Sequence, residues 1–161
     1  MITISDFVKM LASENEIVHQ QTRDLGQADT LIQPQPSGNC LNWVLGHMLD
    51  NQILVLKTLG GTSPIDRTET ERYRRDSEPI RAKEPGVWSL EQLLAGHDQI
   101  LTALTARLGE LAEADLDEDI QLGERKVKRG WWVFFLHFHY TYHLGQLEYL
   151  RQLAGKTDKV I

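Results

Sequence analysis

The chain carries 161 residues, enough for one ordinary domain and short for two. Hydrophobic residues make up 41 % of it and the formal net charge is −6, which excludes a disordered chain and argues against a dedicated nucleic-acid binder. One cysteine cannot form an internal disulfide, so the six histidines are the chemically interesting minority.

The N-terminus lacks a basic stretch followed by an apolar one, so no signal peptide is expected. The longest apolar run, Trp131 to Leu136, is far below the roughly 20 residues that span a bilayer. The expectation is a cytoplasmic protein, not bound to membrane or nucleic acid, forming a single domain over residues 1–161. Four helix-period segments account for most of the chain. The first is predicted from about Thr3 to Leu25, capped by Ser5 or Asp6, with a stripe of Phe7, Met10, Leu11, Ile17 and Val18 and with Gly26 after its end. A Pro- and Gly-bearing connector at 33–38 separates it from the second, predicted from near Asn39 to just before Gly60-Gly61. Residues 60–88 then form a long connector with a helical turn expected around Glu69 to Arg75.

The third helix opens on the capping box Ser89–Gln92 and is predicted to run towards residue 113. Residues 114–129 are charged and polar, and a small hairpin can form across Gly123. The fourth helix is predicted from Trp131 to Ala154, with Gly155 at its C′ position. It is apolar almost all round, which places it either at the centre of a core or in a subunit interface. The fold class expected is all-α, a four-helix bundle with long connectors.

His139 and His143 lie four apart on the fourth helix and so share a face, where two neutral imidazoles can grip one metal ion. Trp132, Phe135, Leu136, Gln146 and Leu150 fall on the same side, so the pair is expected to point towards the core. His47 interrupts the second helix at the edge of its apolar stripe, and facing helices can bring such groups to a common point. On the residues alone, a metal site and a set of satisfied packing histidines both remain open. His137 is turned about 200° from His139 and is expected at the surface or in an interface. His97 is expected as a hydrogen-bonded core histidine, His19 as exposed, and Cys40 as a small buried residue too far along its helix to be a fourth ligand. Asp50 is read as a solvated carboxylate. The runs Arg72-Tyr73-Arg74-Arg75 and Arg125 to Arg129 are read as solvated connectors, with a capacity to bind a thiol's carboxylates. Gln146 either supports a ligand or packs as a plain amide.

The segments Asn42-Trp43-Val44-Leu45-Gly46-His47-Met48-Leu49 and His139-Tyr140-Thr141-Tyr142-His143-Leu144-Gly145-Gln146 together resemble the DinB/YfiT-like superfamily. Its late signature, two histidines with three residues between them, then one residue and Gly-Gln, stands intact here. The resemblance implies an up-down-down-up four-helix bundle. It also implies a divalent ion (zinc, nickel, iron or manganese) held by His47, His139 and His143. Relatives transfer low-molecular-weight thiols or isomerise maleylpyruvate with a thiol cofactor. The expected function is therefore a metal-dependent hydrolase or thiol S-transferase. It would activate a small thiol or water against a small-molecule electrophile at an open three-histidine site. The alternative is a non-catalytic, stress-associated metal-binding bundle in which the ion is structural. A homodimer through the fourth helix is expected in either case.

Overall fold

The structure, a computed structural model, describes residues 3–160. Helix α1 spans Ile4–Thr22, and its cap is Thr3 rather than Ser5 or Asp6. The Thr3 Oγ1 accepts the Asp6 N–H while the Asp6 carboxylate accepts the Thr3 N–H, a reciprocal box that starts ahead of both expected caps. The helix also stops before Leu25, because Asp24 takes a left-handed φ of 62° and ends it ahead of Gly26. Helix α2 spans Leu41–Thr58, α3 Leu90–Gly109 and α4 Arg129–Leu153. The capping box of α3 forms as expected, with Ser89 and Gln92 each bonding the other's backbone N–H.

Between α3 and α4 the chain makes a two-stranded antiparallel hairpin, β1 Asp119–Leu122 and β2 Arg125–Lys128, paired Ile120 to Val127. Gly123 supplies the positive φ of the turn, at 58°. The protein is thus a helical bundle with a small sheet, and not strictly all-α. The basic run here is spent locally. Lys126 and Lys128 both pair with Asp119 at 3.0 Å, and Arg129 pairs with Glu118 at 2.8 Å.

Helix α1 packs on α3 and α4, and α2 packs on the same two. Leu11 and Val18, Leu45, Met48 and Leu49, Ile100 and Leu104, and Leu144 and Leu147 meet in the middle. Each such side chain contributes about 1.5–3 kcal/mol of burial. The most enclosed helix is α2, in which every residue from Leu41 to Ile53 is buried. The cause is the long connector, which crosses the outer face of α2 and buries Ile65, Tyr73, Ile80 and Val87 against it. Helix α4 is not central. It buries Val133, Leu136, Tyr140, Leu144 and Leu147 but leaves Trp131, Phe134, Phe135, Phe138, Tyr142 and Tyr149 exposed. No described helix is long and apolar enough to cross a membrane.

Two polar ties fasten the irregular segments. Arg151 is fully buried and bonds both oxygens of Asp158 and the carbonyls of Gln21 and Arg23, joining the C-terminal segment to the end of α1. Asp50 is buried too, contrary to its reading as a solvated carboxylate. It accepts two bonds from Arg67, at 3.0 and 2.9 Å, and one from Thr70, with Arg74 at 3.9 Å. It anchors the connector on α2, a role that residue type and spacing do not reveal because its partners lie 17 and more residues away.

Candidate metal centre

His47 reaches the site from α2, His139 and His143 from successive turns of α4, and their coordinating atoms all lie within 4.8 Å of one another. They are the group of three or more potential metal-binding side chains found among the described residues. Each ring is held from behind. The Nδ1–H of His47 donates to the Tyr73 carbonyl at 2.8 Å, and the ring stacks on Trp43 with centroids 4.6 Å apart. The Nδ1–H of His143 donates to Gln146 Oε1 at 3.0 Å, so Gln146 is a hydrogen-bond partner of His143 rather than a plain packing amide. Both bonds leave Nε2 as the nitrogen of each ring that carries the lone pair.

His139 completes the loop. Asn51 Nδ2 donates to its Nδ1 at 3.3 Å, so its Nε2–H donates to His143 Nε2 at 2.9 Å. Asn51 Oδ1 is buried without a partner among the described residues. Turning that amide would let Oδ1 accept an Nδ1–H from His139 and free the third Nε2.

These observations bear on whether an ion fits. Two nitrogens at about 2.1 Å from a common ion stand at most about 4.2 Å apart, so the cluster closes on one ion with small ring rotations. Burial lowers the proton affinity of all three imidazoles, that of His143 to about 4, which keeps them in the neutral form a metal needs. The donor set is all-imidazole and suits zinc, nickel, iron or copper rather than calcium or magnesium.

The local backbone explains how His47 is placed. A Cβ at Gly46 would lie 2.1 Å from the Tyr73 ring, so only glycine lets Tyr73 seat beside the ligand. Tyr73 is then pinned at its far end, its hydroxyl donating to Asn42 Oδ1 at 3.2 Å and accepting the Trp88 N–H at 2.6 Å. Tyr73 is the functional residue that sequence reading missed. The signal present was a tyrosine within a run of arginines in an otherwise polar connector.

The face of α4 that carries His139 and His143 borders an open cleft instead of pointing into the core. Both rings are half-buried, and Phe135, Phe138, Tyr142, Trp43, Gln146 and Arg75 share the cleft with them. Of the basic run at 72–75, only Arg75 reaches it. Arg72 pairs with Glu84, and Arg74 faces Asp50 and Glu71.

The remaining candidates divide. His97 is buried with its Nε2–H on the Leu45 carbonyl at 3.1 Å, and Cys40 is buried against the Ile80 carbonyl, both as expected. His19 is half-exposed and bonds Asp98 at 2.8 Å. His137 is a correction: it is buried, packed edge-on against Phe7, with Nε2 3.5 Å from the buried Glu14. It does face away from His139 on its helix, but that side is covered by α1. Burial raises the Glu14 carboxyl to about 8.

The sequence matches the DinB superfamily over residues 12–147. No curated protein matches it. The structure is similar to a DinB-like protein from Bacillus cereus, with a TM-score of 0.73, 20 % identity and 99 % of each chain covered. It is similar also to a conserved protein from Enterococcus faecalis, with a TM-score of 0.74, 16 % identity, and 97 % of this chain and 100 % of that one covered. At these identities the likeness is one of fold.

Proposed function

This chain belongs to the DinB superfamily, and from that premise we propose that it binds a divalent ion through His47, His139 and His143 and uses it in catalysis. The observation that carries this is the convergence of three imidazoles within 4.8 Å, with no thiol or carboxylate joining them among the described residues. Three protein ligands leave a position open to a reactant, whereas structural zinc sites are closed by four. A bound ion would supply Lewis acidity and lower the pKa of a small thiol or of water. The chain's own part is to hold the donors: Tyr73 and Gln146 fix two tautomers, Trp43 holds one ring flat, and the cleft admits an electrophile. The reaction class we assign is a metal-dependent hydrolase or thiol S-transferase, acting on a small-molecule electrophile in the cytoplasm.

Two structural details belong to the same reading. We take the helices to run up-down-down-up. Supporting contacts are Ile4 with Glu113, Arg107 with Leu59, and Asn51 with His139. We also place a homodimer contact on the outward face of α4, at Trp131, Gly145 and Tyr149, exposed residues that do not line the cleft. A Cβ at Gly145 would meet nothing within 4 Å, so internal packing does not demand glycine there.

Metal analysis of the purified protein, with assays of monochlorobimane conjugation across a panel of thiols and of ester hydrolysis, tests the assignment. Stoichiometric metal with metal-dependent turnover supports it. Protein without metal overturns the site, and metal with no turnover on any thiol or ester favours a purely structural ion.

A further inference from the structure

The cleft over the three imidazoles has a volume of about 670 Å³, in the range of small-molecule sites. Its walls combine two properties. One is aromatic surface: Phe135, Phe138 and Tyr142 are 43, 60 and 68 % exposed, so the fold does not use these rings for its own core. The other is charge. The chain has 23 acidic residues, yet among the described residues no Asp or Glu lines the cleft, and Arg75 is the one there with a permanent charge. Its partner, Asp76, stands 3.7 Å away with both side chains almost fully in solvent, a contact too weak to hold the guanidinium back. Nearby Asp50 is already matched by Arg67. An ion held by neutral imidazoles would keep its double positive charge, since no anionic ligand offsets it.

We propose that this cleft takes small anions with a flat aromatic body, an aryl carboxylate, with Arg75 at the anionic group and Phe135, Phe138 and Tyr142 against the body. The inference rests on the metal reading for the dication, while the aromatic wall and Arg75 act with or without it. Among the described residues no carboxylate lines the cleft to pair with a cationic molecule, and Arg75 repels one.

The test is calorimetric titration of 2-naphthoate, naphthylmethylamine and acetate into metal-free and zinc-loaded protein. Naphthoate is expected to bind about tenfold more tightly than either of the others. Arg75→Glu is expected to weaken naphthoate about tenfold in both forms while leaving zinc content unchanged. Phe138→Ala is expected to weaken naphthoate and not acetate. Naphthoate binding no tighter than the amine, or equal in Arg75→Glu, overturns the proposal. One zinc per chain with no preference for naphthoate overturns this inference and leaves the metal site standing. A preference for naphthoate that depends on Arg75 in protein that takes up no zinc does the reverse.

Discussion

The carbonyl of Tyr73 accepts the Nδ1–H of His47 at 2.8 Å, so a residue of the connector sets which nitrogen of an α2 histidine is free. Gly46 makes the contact possible. Gly46→Ala drives a Cβ into the Tyr73 ring and is expected to cost about 1–3 kcal/mol in urea unfolding. It should also weaken zinc binding about tenfold, because His47 loses its orienting acceptor. Gly145→Ala meets no neighbour and is expected to leave stability unchanged or raise it by about 0.5–1 kcal/mol.

Single changes of His47, His139 or His143 to alanine should each abolish stoichiometric zinc. The readout is the thermal midpoint with and without zinc. The wild type, at a free zinc concentration about 100 times its Kd, should gain about 2.7 kcal/mol, and the variants nothing. A zinc-induced shift retained in any one of them removes that residue from the ligand set.

Gln146→Leu separates orientation from coordination. His143 keeps its Nε2 but loses the acceptor at 3.0 Å, so zinc affinity should fall about 10- to 100-fold in competition with a chromophoric chelator. Metal-free stability should stay within about 1 kcal/mol of wild type, because Gln146 is only partly buried.

Much of this site was legible in the sequence because α-helical spacing is local. The four-residue step from His139 to His143, the reach of Gln146 and the capping box at Ser89 follow from positions three or four apart. What escaped was set by contacts distant in the chain. Helix α4 is apolar almost all round, which left a core or an interface position open to it, yet α2, with Asn42, Asp50, Asn51 and Gln52, is the enclosed one. Asn42, Asp50 and Asn51 tolerate burial by bonding the loop before α3, the connector and the facing helix, none of which a helical period can show. His137 was misplaced for the same reason: its angle from His139 was right, but the covering helix was invisible.

Glu14 gives the protein a pH profile. Its carboxyl titrates near 4.5 when unfolded and at about 8 when buried in the fold, so the folded chain holds that proton more tightly. Its contribution to stability is whole below about 4.5 and is lost as pH rises through about 8. His97 acts from the other side. Burial lowers it from 6.5 to about 4, so its contribution is present above 6.5 and is lost as pH falls through about 4. Glu14→Gln should therefore flatten the alkaline limb of stability against pH and leave the acid limb in place, as urea midpoints from about pH 5 to pH 9 will show.

Asp50→Ala removes the anchor of the connector. The loss should fall somewhat below the about 3–5 kcal/mol of a fully enclosed ion pair, since Arg67 reaches solvent. Limited proteolysis should cut the variant first within residues 60–88, and faster there than it cuts the wild type.

The ligands of the site are far apart along the chain. His47 and His139 are separated by 92 positions, and an ion joining them would be a reversible cross-link across more than half of the protein. In the unfolded chain such a closure removes conformational freedom on the scale of a long-range disulfide, about 4–5 kcal/mol for a loop of roughly 100 residues. A metal supplied before folding would tether α2 to α4 early, so the availability of the ion would influence how the bundle assembles as well as what the finished bundle does.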